Sequence, residues 1–163
     1  MSLDRDISLL SRIPLFAGLS TEQLRLLAFS AVRLELHPGQ VLFREGATAM
    51  SGYVVAFGGI ELATGHGTKR NILMTCEAGS LIGEIALFIE TRRPVTATAV
   101  VSCEVLEIDR KLMTRMLNEY PHVALKLRAT LAGRLVATVG ELGKVDKALR
   151  GIDDTPLRRK DSA

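Results

Sequence analysis

The chain has 163 residues, 47% of them hydrophobic and 24% charged, a balance that suits one globular domain of ordinary size. It excludes disorder, a collagen repeat or a coiled-coil rod as a description of the whole chain. The net charge is +3, and the tail from Lys144 to Ala163 carries most of that excess, six bases against four acids, so charge alone supplies no nucleic-acid-binding face.

No apolar run approaches the roughly 18 residues of a membrane span. Asp4, Arg5 and Asp6 stand where a secretory signal would place its apolar core. Cys76 and Cys103 each sit in an apolar run without Cys/His spacing and read as buried free thiols. The expectation is a cytoplasmic protein without disulfides and without a membrane anchor.

The N-terminal region, residues 1–31, reads as helical. Leu9, Leu10, Ile13 and Phe16 recur at helical spacing, Pro14 interrupts them, and Ser20-Thr21-Glu22-Gln23 is a capping box for a new helix. Leu24, Leu27, Ala28 and Ala31 form its apolar face.

From 32 to 108 the pattern changes to short apolar stretches separated by Pro38-Gly39, Glu45-Gly46, Gly58-Gly59, Gly65-His66-Gly67 and Ala78-Gly79. Strands of about five residues with turns every 8–12 or so predict an antiparallel sandwich or barrel. Gly58-Gly59, between Tyr53–Phe57 and Ile60–Leu62, reads as a hairpin turn.

Residues 109–150 are again helical. Asp109 is placed to cap a helix over Arg110–Asn118, and Pro121 to open a longer one. Heptad spacing puts Leu131, Leu135, Thr138, Leu142, Val145 and Leu149 on one seam. Gly133, Gly140 and Gly143 each cost about 1 kcal/mol relative to alanine, so this helix needs a partner copy or the body of its own chain. Residues 151–163 form a polar tail expected to fray. The fold class is therefore α+β: an antiparallel β-roll with helices at both ends.

The segment Leu81-Ile82-Gly83-Glu84-Ile85-Ala86-Leu87, returning through Arg92-Arg93-Pro94-Val95, departs from plain packing. Gly83 lets the backbone approach a ligand closely. The amides of Ile85 and Ala86 open a short helical turn that can face an anion. Arg93, nine residues after Glu84, either closes over that anion as a fork or simply bridges Glu84 across the loop. Arg92 is either a solvated loop charge or a second phosphate contact. His37, His66 and His122 are scattered, which argues against a metal-binding β-roll, and no catalytic triad is legible. An enzyme is not expected.

The Gly-Glu-x-Ala-Leu-x₅-Arg string from Gly83 to Arg93, within this order of glycine turns, resembles the phosphate-binding cassette of cyclic nucleotide-binding domains. The resemblance runs from about residue 10 to residue 142. It implies that Glu84 accepts the ribose 2′-hydroxyl beside the Gly83 backbone. Arg93 would pair with the cyclic phosphate, helped by the amides of Ile85 and Ala86. Thr138 matches a residue that contacts the base, or is a polar seam residue fixing register. Two positions depart from the family pattern. Pro94 stands where the family has an amide donor to the phosphate, a contact worth about 1.5–3 kcal/mol, which Val95 or Arg92 would have to make good. Val139 replaces a serine that would reach a neighbouring subunit's ligand.

The implied function is a stand-alone sensor of cAMP, with cGMP the other candidate ligand, that signals by moving its C-terminal helix. It would act as a homodimer through that helix and on a protein effector. Direct DNA binding is not expected, because Arg158-Arg159-Lys160 cannot replace a DNA-reading helix. The alternative is an interaction or dimerisation module that has lost its ligand.

Overall fold

The computed structural model describes residues 3–132 and 147–151, with the backbone only for 128–132. Helix α1 (Leu3–Ser11), a 3-10 turn at Pro14–Phe16 and helix α2 (Thr21–Ser30) lead into the strands. The capping box forms as read: Ser20 Oγ accepts from the Gln23 amide, and the Gln23 side chain accepts from the Ser20 amide.

Ten strands follow among the described residues: β1 (Val32–Leu36), β2 (Val41–Phe43), β3 (Thr48–Ala49), β4 (Ser51–Phe57), β5 (Gly59–Thr64), β6 (Asn71–Glu77), β7 (Leu81–Ile82), β8 (Thr91–Arg92), β9 (Thr96–Ala99) and β10 (Cys103–Asp109). They make two four-stranded antiparallel sheets, ordered β1-β10-β4-β7 and β2-β9-β5-β6, with β3-β8 as a short ribbon. This is the β-roll with flanking helices that the sequence predicts.

The inner strands β4 and β10 of the first sheet are buried on both faces over most of their length. On β10, Cys103 and Val105 point between the sheets, where they meet Val55, Ile60, Ala97 and Ala99. Leu106 and Ile108 point the other way, into a second core with Leu10, Phe16, Leu27 and Met113. Burying a side chain of this size contributes about 1.5–3 kcal/mol, so this sheet ties the helical layer to the roll.

The expected hairpin at Gly58-Gly59 does not form. Strand β4 pairs with β10 and β7, whereas β5 pairs with β6 and β9, so the two glycines carry the chain from one sheet to the other. Gly58 has φ +92, and a Cβ there would stand 2.5 Å from Ser102 O and 2.7 Å from Cys103 Sγ. The Cys103 thiol clasps this corner, accepting from the Gly59 amide at 3.3 Å. The hairpin lies one step later, between β5 and β6. Both cysteines are buried free thiols.

Helix α3 (Arg110–Glu119) is capped by Asp109, which accepts from the Leu112 amide at 2.7 Å. Helix α4 (His122–Ala132) begins one residue after Pro121, whose carbonyl accepts from the Ala124 amide. His122 and Gln23 are 3.3 Å apart and tie the start of α4 to α2. Leu135, Thr138, Leu142 and Val145 of the predicted seam lie outside the described residues, as do Gly133, Gly140, Gly143 and residues 152–163. Leu149 is described. It is 1% exposed and packs into the helix-side core of its own chain.

Candidate functional site

Strand β7 is followed by Gly83, whose φ of +75 lies in the left-handed region. The backbone then makes a 3-10 turn over Glu84–Leu87. Ile85 and Leu87 drop into the helix-side core and anchor the turn, while Glu84 is itself only 4% exposed. The Ala86 amide donates to Gly83 O at 3.2 Å. That corrects one expectation, because this amide is already committed to closing the turn and is not free to face an anion.

The return segment is fixed by the backbone. Strand β8 pairs with β3. The Arg93 amide then donates to Ala47 O, and Arg93 O accepts from the Gly46 amide, each at 2.8 Å. Arg92 stays exposed and donates through Nη1 to Gly46 O at 3.0 Å, which places it as a loop charge. Pro94 is exposed and Val95 half-buried.

These constraints send Arg93 inward. Its side chain is buried, and Nη2 donates to Ser51 O at 2.8 Å. The guanidinium carbon lies 4.3 Å from the Phe43 ring centroid and 5.4 Å from that of Tyr53, and the two rings stack on each other. A guanidinium gains from such aromatic faces when water is excluded. On the far side the guanidinium abuts Gly83, so closely that a Cβ there would stand 2.5 Å from Nη1. Gly83 and Arg93 therefore lie against each other, and buried Glu84 follows Gly83 in the chain.

The electrostatics follow from burial. Loss of solvent lowers the Arg93 pKa from its ordinary value, and the charges and hydrogen-bonding atoms of Tyr53 and Glu107 oppose that shift. Burial raises the Tyr53 phenol, which also lies within reach of the Ser51 and Glu107 side chains. Phe43, Ser51, Tyr53 and Glu107 are the site residues that motif reading missed. Phe43, Tyr53 and Glu107 carry only the alternation of ordinary strands, and strand pairing is what gathers them around Arg93. Thr138 lies outside the described residues. Among those residues no cluster of metal-ligating side chains is present, and no helix is long and apolar enough to cross a membrane.

Comparison with known proteins gives a consistent result. A family model described as "Cyclic nucleotide-binding domain" matches residues 33–120. The "Cyclic AMP receptor protein" of Thermus thermophilus is 36% identical over 124 residues, covering 75% of this chain and 57% of that protein. A cyclic nucleotide-binding-like protein from Brucella abortus superimposes with a TM-score of 0.64 at 40% identity, over 69% of this chain and 97% of the other. The N-terminal domain of a transcriptional regulator from Streptomyces coelicolor gives a TM-score of 0.72 at 34% identity, over 78% and 90% of the two chains. The chain spans about half the length of the curated relatives it matches, 57% and 47% for the first two.

Proposed function

The chain belongs to the cyclic nucleotide-binding domain family, and from that premise we propose that it is a cytoplasmic regulatory sensor for cAMP, with cGMP the other candidate ligand. The observation that carries this reading is the buried guanidinium of Arg93 set against Gly83, with buried Glu84 the next residue of the same turn. A cation and an anion at one tight turn suit a ligand that offers a phosphodiester and a hydroxyl together. In this reading Arg93 holds the cyclic phosphate and Glu84 accepts the ribose 2′-hydroxyl. The Gly83 backbone and the Ile85 amide lie alongside, and Val95 adds an apolar contact. Thr138 would meet the base.

Ile85 and Leu87 share one packed core with Val123, Ala124 and Leu127 of α4 and with Leu149. Ligand contacts that shift the 84–87 turn would therefore press on the C-terminal helical segment through contiguous side chains. That segment is the proposed output, through self-association with a second copy and contact with a protein effector. No catalytic step is assigned to the site.

A second reading, an interaction module without a ligand, is favoured by Pro94, which sits beside Arg93 and has no N–H to offer a phosphate. Titration with cAMP and with cGMP separates the two, with mass spectrometry of whatever the protein releases on unfolding. Saturable binding supports the sensor. Silence from protein shown to be empty supports the module.

A further inference from the structure

Behind Arg93 stands a polar cluster to which nucleotide binding, as described above, gives no task. Ser51 and Tyr53 occupy alternate positions of β4 and so share a face. Strand β10 pairs with β4 in the register Glu107↔Tyr53, which puts the Glu107 side chain on that same face. Ser51 Oγ donates to Glu107 Oε2 at 2.8 Å. The Tyr53 ring lies 5.4 Å from the Arg93 guanidinium carbon, and Ser51 O accepts from Arg93 Nη2. Ser51 is 3% and Tyr53 7% exposed, so the Glu107 charge reaches Arg93 through poorly solvated surroundings.

We propose that Glu107 is a positioning residue that sets ligand specificity: through Ser51 and Tyr53 it fixes Arg93, and its negative charge restricts the site to singly charged phosphodiesters. The inference rests on the nucleotide-binding reading and extends it. A cyclic phosphate carries one negative charge. A phosphomonoester carries about 1.5–2 near neutral pH, because its second pKa is about 6. The Glu107 carboxylate acts on Arg93, and the neighbouring Arg92 is turned to Gly46 O. The second charge of a monoester therefore meets repulsion from Glu107 that Arg92, so placed, does not offset. Glu107→Gln keeps the size and an acceptor for Ser51 but removes the charge.

The test measures the affinities of cAMP and 5′-AMP for the intact chain and for its Glu107→Gln and Glu107→Asp variants. The expected result is that Glu107→Gln narrows the cAMP preference by about tenfold, chiefly through tighter 5′-AMP binding, which is about 1.4 kcal/mol of discrimination. Glu107→Asp should restore much of the preference. Generalised structural damage would lower both affinities together and leave their ratio unchanged. An unchanged ratio in Glu107→Gln, with the wild type binding cAMP, overturns this inference alone. A wild type that binds neither nucleotide overturns the sensor reading and this inference with it.

Discussion

Gly83 and Arg93 are packed against each other so tightly that a single methyl group on Gly83 would stand 2.5 Å from Arg93 Nη1. The glycine is thus needed twice, for its φ of +75 and for the space its missing side chain leaves to the guanidinium. Gly83→Ala should lose about 1–2 kcal/mol of stability from the backbone conformation alone. It should also lose most nucleotide affinity, because Arg93 must move. Urea unfolding and calorimetry on the same variant check both effects. An alanine variant that binds as well as the wild type would show that Arg93 has no need of its present position.

Pro94 is the position where a substitution should improve binding. It is exposed, and a serine there would present an N–H next to Arg93. A hydrogen bond to a charged phosphate contributes about 1.5–3 kcal/mol, so Pro94→Ser should tighten cAMP binding about tenfold or more. Calorimetric affinities of the two proteins decide it. Equal affinities would mean that no phosphate reaches this amide.

The corner at Gly58 gives a stability prediction with an internal control. Gly58 and Gly79 have nearly the same φ, +92 and +91, but a Cβ at Gly79 has nothing within 4 Å. Gly79→Ala should therefore cost only the conformational penalty, about 1–2 kcal/mol. Gly58→Ala adds overlap with Ser102 O and Cys103 Sγ and should cost about 1–3 kcal/mol more. Urea midpoints measure the difference, and equal losses would contradict the crowded corner.

Burial pushes the Cys76 thiol above its ordinary value of 9.0. Above that pH the folded chain holds a proton that the unfolded chain releases. This contribution to stability is therefore complete below about pH 9 and is lost as pH rises through the folded-state pKa. Melting temperatures measured from about pH 8 to about pH 10 should fall, and Cys76→Ala should flatten the fall. Native Cys76 should also resist alkylation until the chain unfolds.

Local chemistry made much of this fold readable. The Ser20 capping box, the Asp109 cap and the alternation of short apolar runs with glycine turns each depend on neighbours a few residues apart. The 83–93 cassette was readable for the same reason, since its glycine, acid and arginine form one continuous string. What sequence alone misplaced depends on partners far along the chain. Gly58-Gly59 has the composition of a hairpin, but whether β4 and β5 pair is settled by competition with β10, β7, β9 and β6. The Ala86 amide is free in a string of letters and bonded once the turn closes on Gly83 O. Ser51, Tyr53 and Glu107 surround Arg93 only after antiparallel pairing brings β10 beside β4. Leu149, on a seam that periodicity assigns equally to a partner copy or to the body of its own chain, is buried in its own chain, where packing decides what periodicity leaves open.

Calorimetric titration of cAMP into the wild type and into Arg93→Ala, each first shown to be free of nucleotide, tests the central claim most directly. The account predicts saturable binding to the wild type. It predicts no measurable heat from the variant, whose circular dichroism spectrum should still report a folded β-roll. Equal affinity in the two proteins, or no binding to an empty wild type, would contradict it.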